Sequence, residues 1–149
     1  MTEKKHYNVV AGVVIDHGRV LCVKKGATRF NYTAHKWEFP GGKIEPGESP
    51  EAALKRELLE EMNMKVEVGE RLITITHEYP DFTITMQAYL CHLRSPHFAL
   101  TEHEQYAWLP SSELPTLEWC AADVPIALAA SKARIHDKQQ SKHAHLKNY

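Results

Sequence analysis

Long hydrophobic runs are missing from this sequence. The apolar stretch Val9 to Ile15 is seven residues and contains Gly12, far below the roughly 20 residues that cross a bilayer. It also follows the charged Met1-Thr2-Glu3-Lys4-Lys5 too briefly to act as a secretory signal. No membrane-spanning or exported segment is expected, and a cytoplasmic location is the default. Charge of one sign is lacking too: the formal net charge is −1 and the pI about 6.8. That excludes a general attraction to nucleic acid or to an anionic membrane, so any phosphate recognition must be local. Cysteine is scarce, with three residues, Cys22, Cys91 and Cys120, and no Cys-x-x-Cys pair. A disulfide framework or zinc site is not expected, and the thiols read as small apolar residues in a reducing compartment. The ten histidines are scattered, and His143 and His145 fall in a polar tail.

What is present is one domain's worth of chain, 149 residues without internal repeat or linker. The domain is expected over 1–137, with 138–149 a polar, mobile tail. Val9–Ile15 and Val20–Val23 read as strands joined by the turn residues Asp16-His17-Gly18-Arg19. Gly26 to His35 reads as a loop, and Trp37-Glu38-Phe39-Pro40 as a short extended segment leading into a glycine loop. Lys65–Val68, Arg71–His77 and Thr83–Leu93 read as strands, with Gly69 at a turn or bulge. A loop over Ser95–Glu104 precedes a short strand around Tyr106–Leu109, and Ser111–Leu114 fits one helical turn. A second long helix opens at Ala122-Asp123-Val124-Pro125, with Asp123 as its N-cap and Ile126, Ala127, Ala130 and Ile135 as its apolar stripe. This order of elements describes an α+β domain with a mixed sheet between helices.

The most informative stretch is Gly41 to Met64. Ser49 is an N-cap, Pro50 suits the first helical position, Glu51 complements the helix dipole, and Asn63 tolerates a left-handed C-terminal conformation. A helix over about Pro50–Met62 follows. At about 100° per residue, Glu57, Glu60 and Glu61 share an arc of roughly 100°, with small Ala53 one turn earlier. Leu54, Leu58, Leu59, Met62 and Ala52 occupy the opposite side, interrupted by Lys55, which must snorkel outward. Like charges at this spacing repel. Either the acids form a solvated face, or a hard divalent cation such as Mg²⁺ offsets them. The glycines in front permit close approach of backbone to a ligand, and the Gly41 carbonyl is a candidate additional oxygen ligand.

Gly42, five residues, Glu48, seven residues, Arg56-Glu57-Leu58, one residue, Glu60-Glu61, one residue, Asn63-Met64 resembles the box of the Nudix hydrolases. Asn63 stands where that family carries glycine. Trp37-Glu38-Phe39-Pro40-Gly41-Gly42, Glu78-Tyr79-Pro80-Asp81 and Ala122-Asp123-Val124-Pro125 extend the similarity, to the MutT-like branch, over roughly Val9 to Ala130. The resemblance implies an α/β/α sandwich and a Mg²⁺-dependent (or Mn²⁺-dependent) hydrolysis of nucleoside triphosphates to monophosphate and pyrophosphate. It implies that Glu57, Glu60 and Glu61, with the Gly41 carbonyl, hold metal or orient water, and that Arg56 and Glu48 form a structural pair. A glutamate six residues before a strand tryptophan takes part in some members. Glu102 stands so before Trp108, with Glu104 the alternative in the same loop.

For substrate binding, MutT-like proteins place a residue that touches the base at the position corresponding to Asp123, and the resemblance implies that role here; a helix cap and nothing more is the competing role. Taken as ionised, it accepts hydrogen bonds from cytosine or from guanine, oxidised or not. Phe82 offers an aromatic face where an oxidised-guanine enzyme has a polar contact, which favours a pyrimidine nucleotide (CTP, dCTP or a modified dCTP). Sanitation of 8-oxo-dGTP is the alternative, and a nucleotide-binding module without hydrolysis is a third reading. The three intact box carboxylates speak against the last. Lys43, and Lys24 or Lys25 at the end of the second strand, are candidate phosphate contacts or simply solvated. The expected partner is a small nucleotide, with monomer and homodimer both open.

Overall fold

The computed structural model describes residues 4–94, 98–100 and 102–133. Among these residues seven strands form one sheet: β1 (Lys5–Asp16), β2 (Arg19–Lys25), β3 (Trp37–Glu38), β4 (Gly41–Lys43), β5 (Val66–Glu78), β6 (Phe82–Leu93) and β7 (His103–Pro110). The order β3-β2-β1-β6-β5 is extended by β4 on β1 and β7 on β2. Only β1 and β6 run parallel, so the sheet is mixed as expected.

β1 and β2 form the expected hairpin through a tight turn in which His17 (φ 52°) and Gly18 (φ 76°) are both left-handed, the combination that matches the twist of a hairpin. Their pairing covers only Ile15↔Val20 and Asp16↔Arg19. Beyond it the two strands separate. β4 takes up the vacated edge of β1, with Ala11↔Gly41 and Val9↔Lys43 opposed, and β3 pairs with the far end of β2. This split in the sheet is where the cleft described below opens.

Alternation along β1 separates two cores. Ala11, Val13 and Ile15 face one cluster with Phe39, Trp119 and Ile126. Val10 and Val14 face the other, with Leu54, Leu58 and Met62. A helix covers each face: α1 (Pro50–Met62) one and α2 (Val124–Lys132) the other. The result is an α+β sandwich of the expected kind. All three cysteines are buried and free.

α1 has the expected bounds. The Ser49 hydroxyl accepts from Ala52 N at 3.1 Å, Pro50 is the first helical residue, and Asn63 is left-handed at φ 51°, ψ 38°. Leu54, Leu58 and Met62 are buried with Ala53, whereas Leu59 is 46% exposed and Ala52 lies outside the core. The apolar stripe is therefore narrower than the periodicity implies. Lys55 is exposed, as its position demanded.

Four further expectations change. Gly41–Lys43 is a strand, not a loop, because bare backbone can lie against β1: a Cβ on Gly41 would meet the Val10 carbonyl oxygen at 1.9 Å. The two strands expected around Gly69 are one, β5, whose register shifts between Val68 and Arg71 mark a bulge. α2 is only nine residues long, ending at Lys132 before an extended Ala133, shorter than the long helix expected; Ile135 and the tail lie outside the described residues. Finally, Asp123 caps nothing. A 3-10 turn over Ala121–Asp123 precedes α2, Asp123 is already helical (φ −86°, ψ −14°), and its side chain makes no capping bond.

A left-handed residue after α1 costs a β-branched side chain about 1–2 kcal/mol. Asn63→Gly is thus expected to melt at or above the parent temperature and Asn63→Val several degrees below it. A valine variant that melts with the parent would show that this backbone position carries no such constraint.

Candidate active site

A cleft of about 330 Å³ opens at the split between β1 and β2. Val9, Val10 and Ala11 of β1 and Gly41, Gly42 and Lys43 of β4 form one wall. Residues 26–28 and Thr33 form another, with Tyr79, Phe82, Ile84 and Met86 beside them. Its polar lining consists chiefly of Lys25, Glu38, Glu61, Glu102, His103 and Asp123. The cleft has two chemically distinct ends, an acidic one at α1 and an aromatic one at β6.

The acidic end is organised by Arg56. Its Nε donates to Glu48 Oε2 at 2.6 Å and its Nη2 to Glu48 Oε1 at 2.9 Å, a two-pronged bond. Nη2 also reaches the Lys43 carbonyl at 3.2 Å, tying α1 to β4. Nη1 donates to Glu57 Oε1 at 3.1 Å and to Glu60 Oε1 at 3.3 Å. The guanidinium and the Glu45 N–H hold the Glu48 carboxyl down at about 2. Arg56 thus ties the loop carboxylate to the helix acids, the structural pairing anticipated for it.

Of the α1 acids Glu61 lines the cleft, and Glu57 lies just behind it, against Gly42. A Cβ on Gly42 would stand 2.0 Å from Glu57 Oε2, so the absence of a side chain there makes room for that carboxylate. Burial, then the charges of Glu57 and Glu102, push the Glu61 carboxyl up to about 7. Glu60 differs: its side chain is 59% exposed and turned to Arg56. Among the described residues, no three His, Cys, Asp or Glu side chains converge on one point as drawn. Arg56 holds two of the acids, Glu57 and Glu60, by one oxygen each.

The donor chemistry nevertheless fits a hard divalent cation. The donors are carboxylates, and burial together with the neighbouring acids already disfavours ionisation of Glu61, a penalty a cation relieves. The bonds Gly12 N→Pro40 O (2.7 Å) and Ile44 N→Asn8 O (3.0 Å) bracket β4. Bonded pairs alternate in an antiparallel ladder, which leaves the Gly41 carbonyl outside it. Glu57, Glu60, Glu61 and that carbonyl are the oxygens that would hold the ion.

Glu102 lines the cleft, whereas Glu104 pairs outside it with Lys24 (3.7 Å) and His35 (3.0 Å). That corrects the placement of Lys24. Alternation on β2 turns it away, and Lys25 lines the cleft instead. Lys43 lines the cleft too, with Nζ 4.7 Å from the Tyr7 ring centroid. At the aromatic end, Phe82 packs against Tyr79 (4.9 Å), Phe30 (5.7 Å) and Tyr7 (5.6 Å). The Tyr32 hydroxyl donates to Asp81 at 2.8 Å and fastens the 26–35 loop over this end. Asp123 is 3% exposed and accepts from Phe39 N at 3.0 Å. Burial, reinforced by the charge of Glu38, raises its carboxyl well above the usual range.

Sequence reasoning passed over Glu38 and His103. Glu38 accepts from His103 Nε2 at 2.9 Å and pairs with Lys25 Nζ at 3.3 Å. The three come from β3, β7 and β2, and no local pattern signals a cluster that strand pairing alone assembles.

Hard oxygen donors at one end of the cleft and an aromatic box with a buried acid at the other suit a nucleoside phosphate. The chain belongs to the Nudix family, whose NUDIX domain pattern matches residues 5–140. It is 34% identical to the CTP pyrophosphohydrolase of Escherichia coli over 82% of this chain and 89% of that one. It is 35% identical to a putative 8-oxo-dGTP diphosphatase of Mycobacterium tuberculosis over 77% of this chain and 81% of that one. The solution structure of the E. coli ORF135 protein superposes with a TM-score of 0.71 and 29% identity, over 85% and 89% of the two chains. Nudix hydrolases work with a divalent metal, in agreement with the oxygen donors at α1. Among the described residues, no helix is long and apolar enough to cross a membrane.

Gly42→Ala should leave the fold intact and displace the Glu57 carboxylate. Mn²⁺ affinity, read by electron paramagnetic resonance titration, is expected to fall roughly 10-fold or more. Unchanged affinity would mean that Glu57 holds no cation.

Proposed function

We propose that this protein is a Mg²⁺-dependent nucleoside triphosphate pyrophosphohydrolase that releases nucleoside monophosphate and pyrophosphate, with a preference for cytosine nucleotides. The observation that carries the reading is the two-ended cleft: acids at α1 where a polyphosphate is processed, and Phe82, Tyr79 and Asp123 where a base is held. Bound Mg²⁺ (or Mn²⁺) supplies neutralisation of the polyphosphate and polarisation of its oxygens. The rest falls to the chain. Phe82 offers the base a ring face, and Lys43 and Lys25 supply positive charge along the wall. Water adds at phosphorus as the α–β anhydride breaks. Its proton passes to a carboxylate oxygen, with Glu57, Glu61 and Glu102 the candidates in reach of this end. Pyrophosphate leaves on the open side.

Base preference turns on the protonation of Asp123. As an ionised acceptor it would suit cytosine and guanine alike. Burial favours its neutral form, which both donates and accepts. One donor beside one acceptor complements the ring nitrogen and exocyclic amine of cytosine, whereas the corresponding edge of guanine presents two adjacent donors. The 8-oxo-dGTP alternative is supported by the mycobacterial relative. All of these contacts are available from a single chain, with a free nucleotide as partner.

Purified protein with Mg²⁺ is expected to release pyrophosphate, not orthophosphate, from CTP or dCTP. Glu57→Gln, Glu60→Gln and Glu61→Gln should each lower kcat by about 100-fold or more with the circular dichroism unchanged. A fully active variant would remove its residue from the metal set.

Comparing kcat/KM for CTP, dCTP, 5-methyl-dCTP, dGTP and 8-oxo-dGTP tests the base. Asp123→Asn should keep the cytosine preference, because the amide retains a donor and an acceptor. Asp123→Ala should lose roughly 10- to 100-fold, the worth of one or two buried hydrogen bonds. Equal losses in both variants would mean that the ionised form is the one that binds.

A further inference from the structure

β7 carries a bulge that decides what faces Glu38. Lys24 pairs with Gln105 and Lys25 with His103, so Glu104 is the extra residue, opposed by nothing on β2. Cross-strand partners share a face of the sheet. Without the bulge the partner of Lys25 would be Glu104, and a second carboxylate would confront Glu38. With it, Glu104 is turned out to Lys24 and His35, and His103 is turned in. Bulges re-aim side chains in this way beside functional sites.

The histidine so placed is nearly enclosed, with a side chain 9% exposed, and its Nε2 lies 2.9 Å from Glu38 Oε2. A carboxylate facing it accepts, so Nε2 donates. Glu38 is itself held by Lys25 at 3.3 Å and stands on β3, paired to β2 through Val23. His103 is the first residue of β7. The residue just before it, Glu102, is exposed, outside the ladder, and lines the cleft. Glu102 and His103 line the same cleft as Glu61. The peg that fixes the chain where Glu102 enters the cleft is therefore the His103–Glu38 bond.

We propose that His103 is a positioning residue: by donating from Nε2 to Glu38 it anchors the start of β7 and so holds the Glu102 carboxylate at the reacting end of the cleft. The proposal rests on the reading of Glu102 as a group that acts at that end. In this role His103 acts through Glu38 and Glu102, not on the reacting atoms.

The test uses the full chain with Mg²⁺ and either dCTP or dGTP, measuring kcat and KM for His103→Ala, His103→Gln, Glu102→Ala and the double variant. His103→Ala should lower kcat by roughly 10-fold, with KM moved by less than about 2-fold. His103→Gln, whose amide nitrogen replaces Nε2, should restore most of the loss. In the Glu102→Ala background, His103→Ala should cost nothing further, since a residue that acts through another has no separate effect. If the alanine variant does not fold, His103→Asn, polar but too short to reach Glu38, takes its place. Additive losses, or a raised KM with unchanged kcat, would overturn the proposal while leaving the role of Glu102 standing. An unchanged kcat in Glu102→Ala would remove that role and the positioning argument with it, without touching the acids of α1.

Discussion

Three glutamates within one helical turn repel one another, and the whole acidic end depends on how that repulsion is managed. Arg56 does so from within the cluster. Its guanidinium takes the loop carboxylate of Glu48 by two nitrogens and shares a third between Glu57 and Glu60. A planar fork suits this task in a way an ammonium does not, because two of its nitrogens can grip one carboxylate while the third is left for the other acids. The same group reaches the Lys43 carbonyl, so the charge that steadies the helix also docks β4 against it.

That docking is steric as much as electrostatic. Gly41 and Gly42 sit where a Cβ would strike the β1 backbone on one side and the Glu57 carboxylate on the other. β4 can therefore lie between a strand and a helix as bare backbone, which places main-chain carbonyls and side-chain carboxylates within one small space. Divergence of β1 from β2 after two paired positions opens the other end of the cleft. The acids and the aromatic box are thus two consequences of one split in the sheet, one on each side of β1.

Within this frame the polar residues deeper in the cleft come in held sets. Glu38 is gripped by Lys25 and His103, and Asp123 by the Phe39 amide. Partners that fix a side chain also fix which of its atoms remain for a ligand, and burial then sets its protonation. For Asp123 burial and the neighbouring Glu38 charge act together against the ionised form, which is why an aspartate in this position can offer a donor.

How much of this was readable beforehand follows from the range of the interactions concerned. The bounds of α1, its serine cap, its left-handed asparagine, the first hairpin and the box from Gly42 to Met64 rest on contacts between residues close in the chain, and local chemistry announces them. The family and the pairing of Arg56 with Glu48 were legible for the same reason. The role of Asp123 was misjudged as a possible cap because the 3-10 turn before α2 has no local signature. Lys24 and Lys25 could not be told apart, because the face of a strand residue is settled by its neighbours in the sheet. Glu38 and His103 went unnoticed because they meet only through β2 and a bulge. By itself the sequence determined a Nudix box with its acids on one helical arc, since helical periodicity is a property of adjacent residues. Only the tertiary structure decided which carboxylates share a cleft, which strand-end lysine faces it and which acid burial pushes towards its neutral form, because those depend on strand register and on exclusion of water.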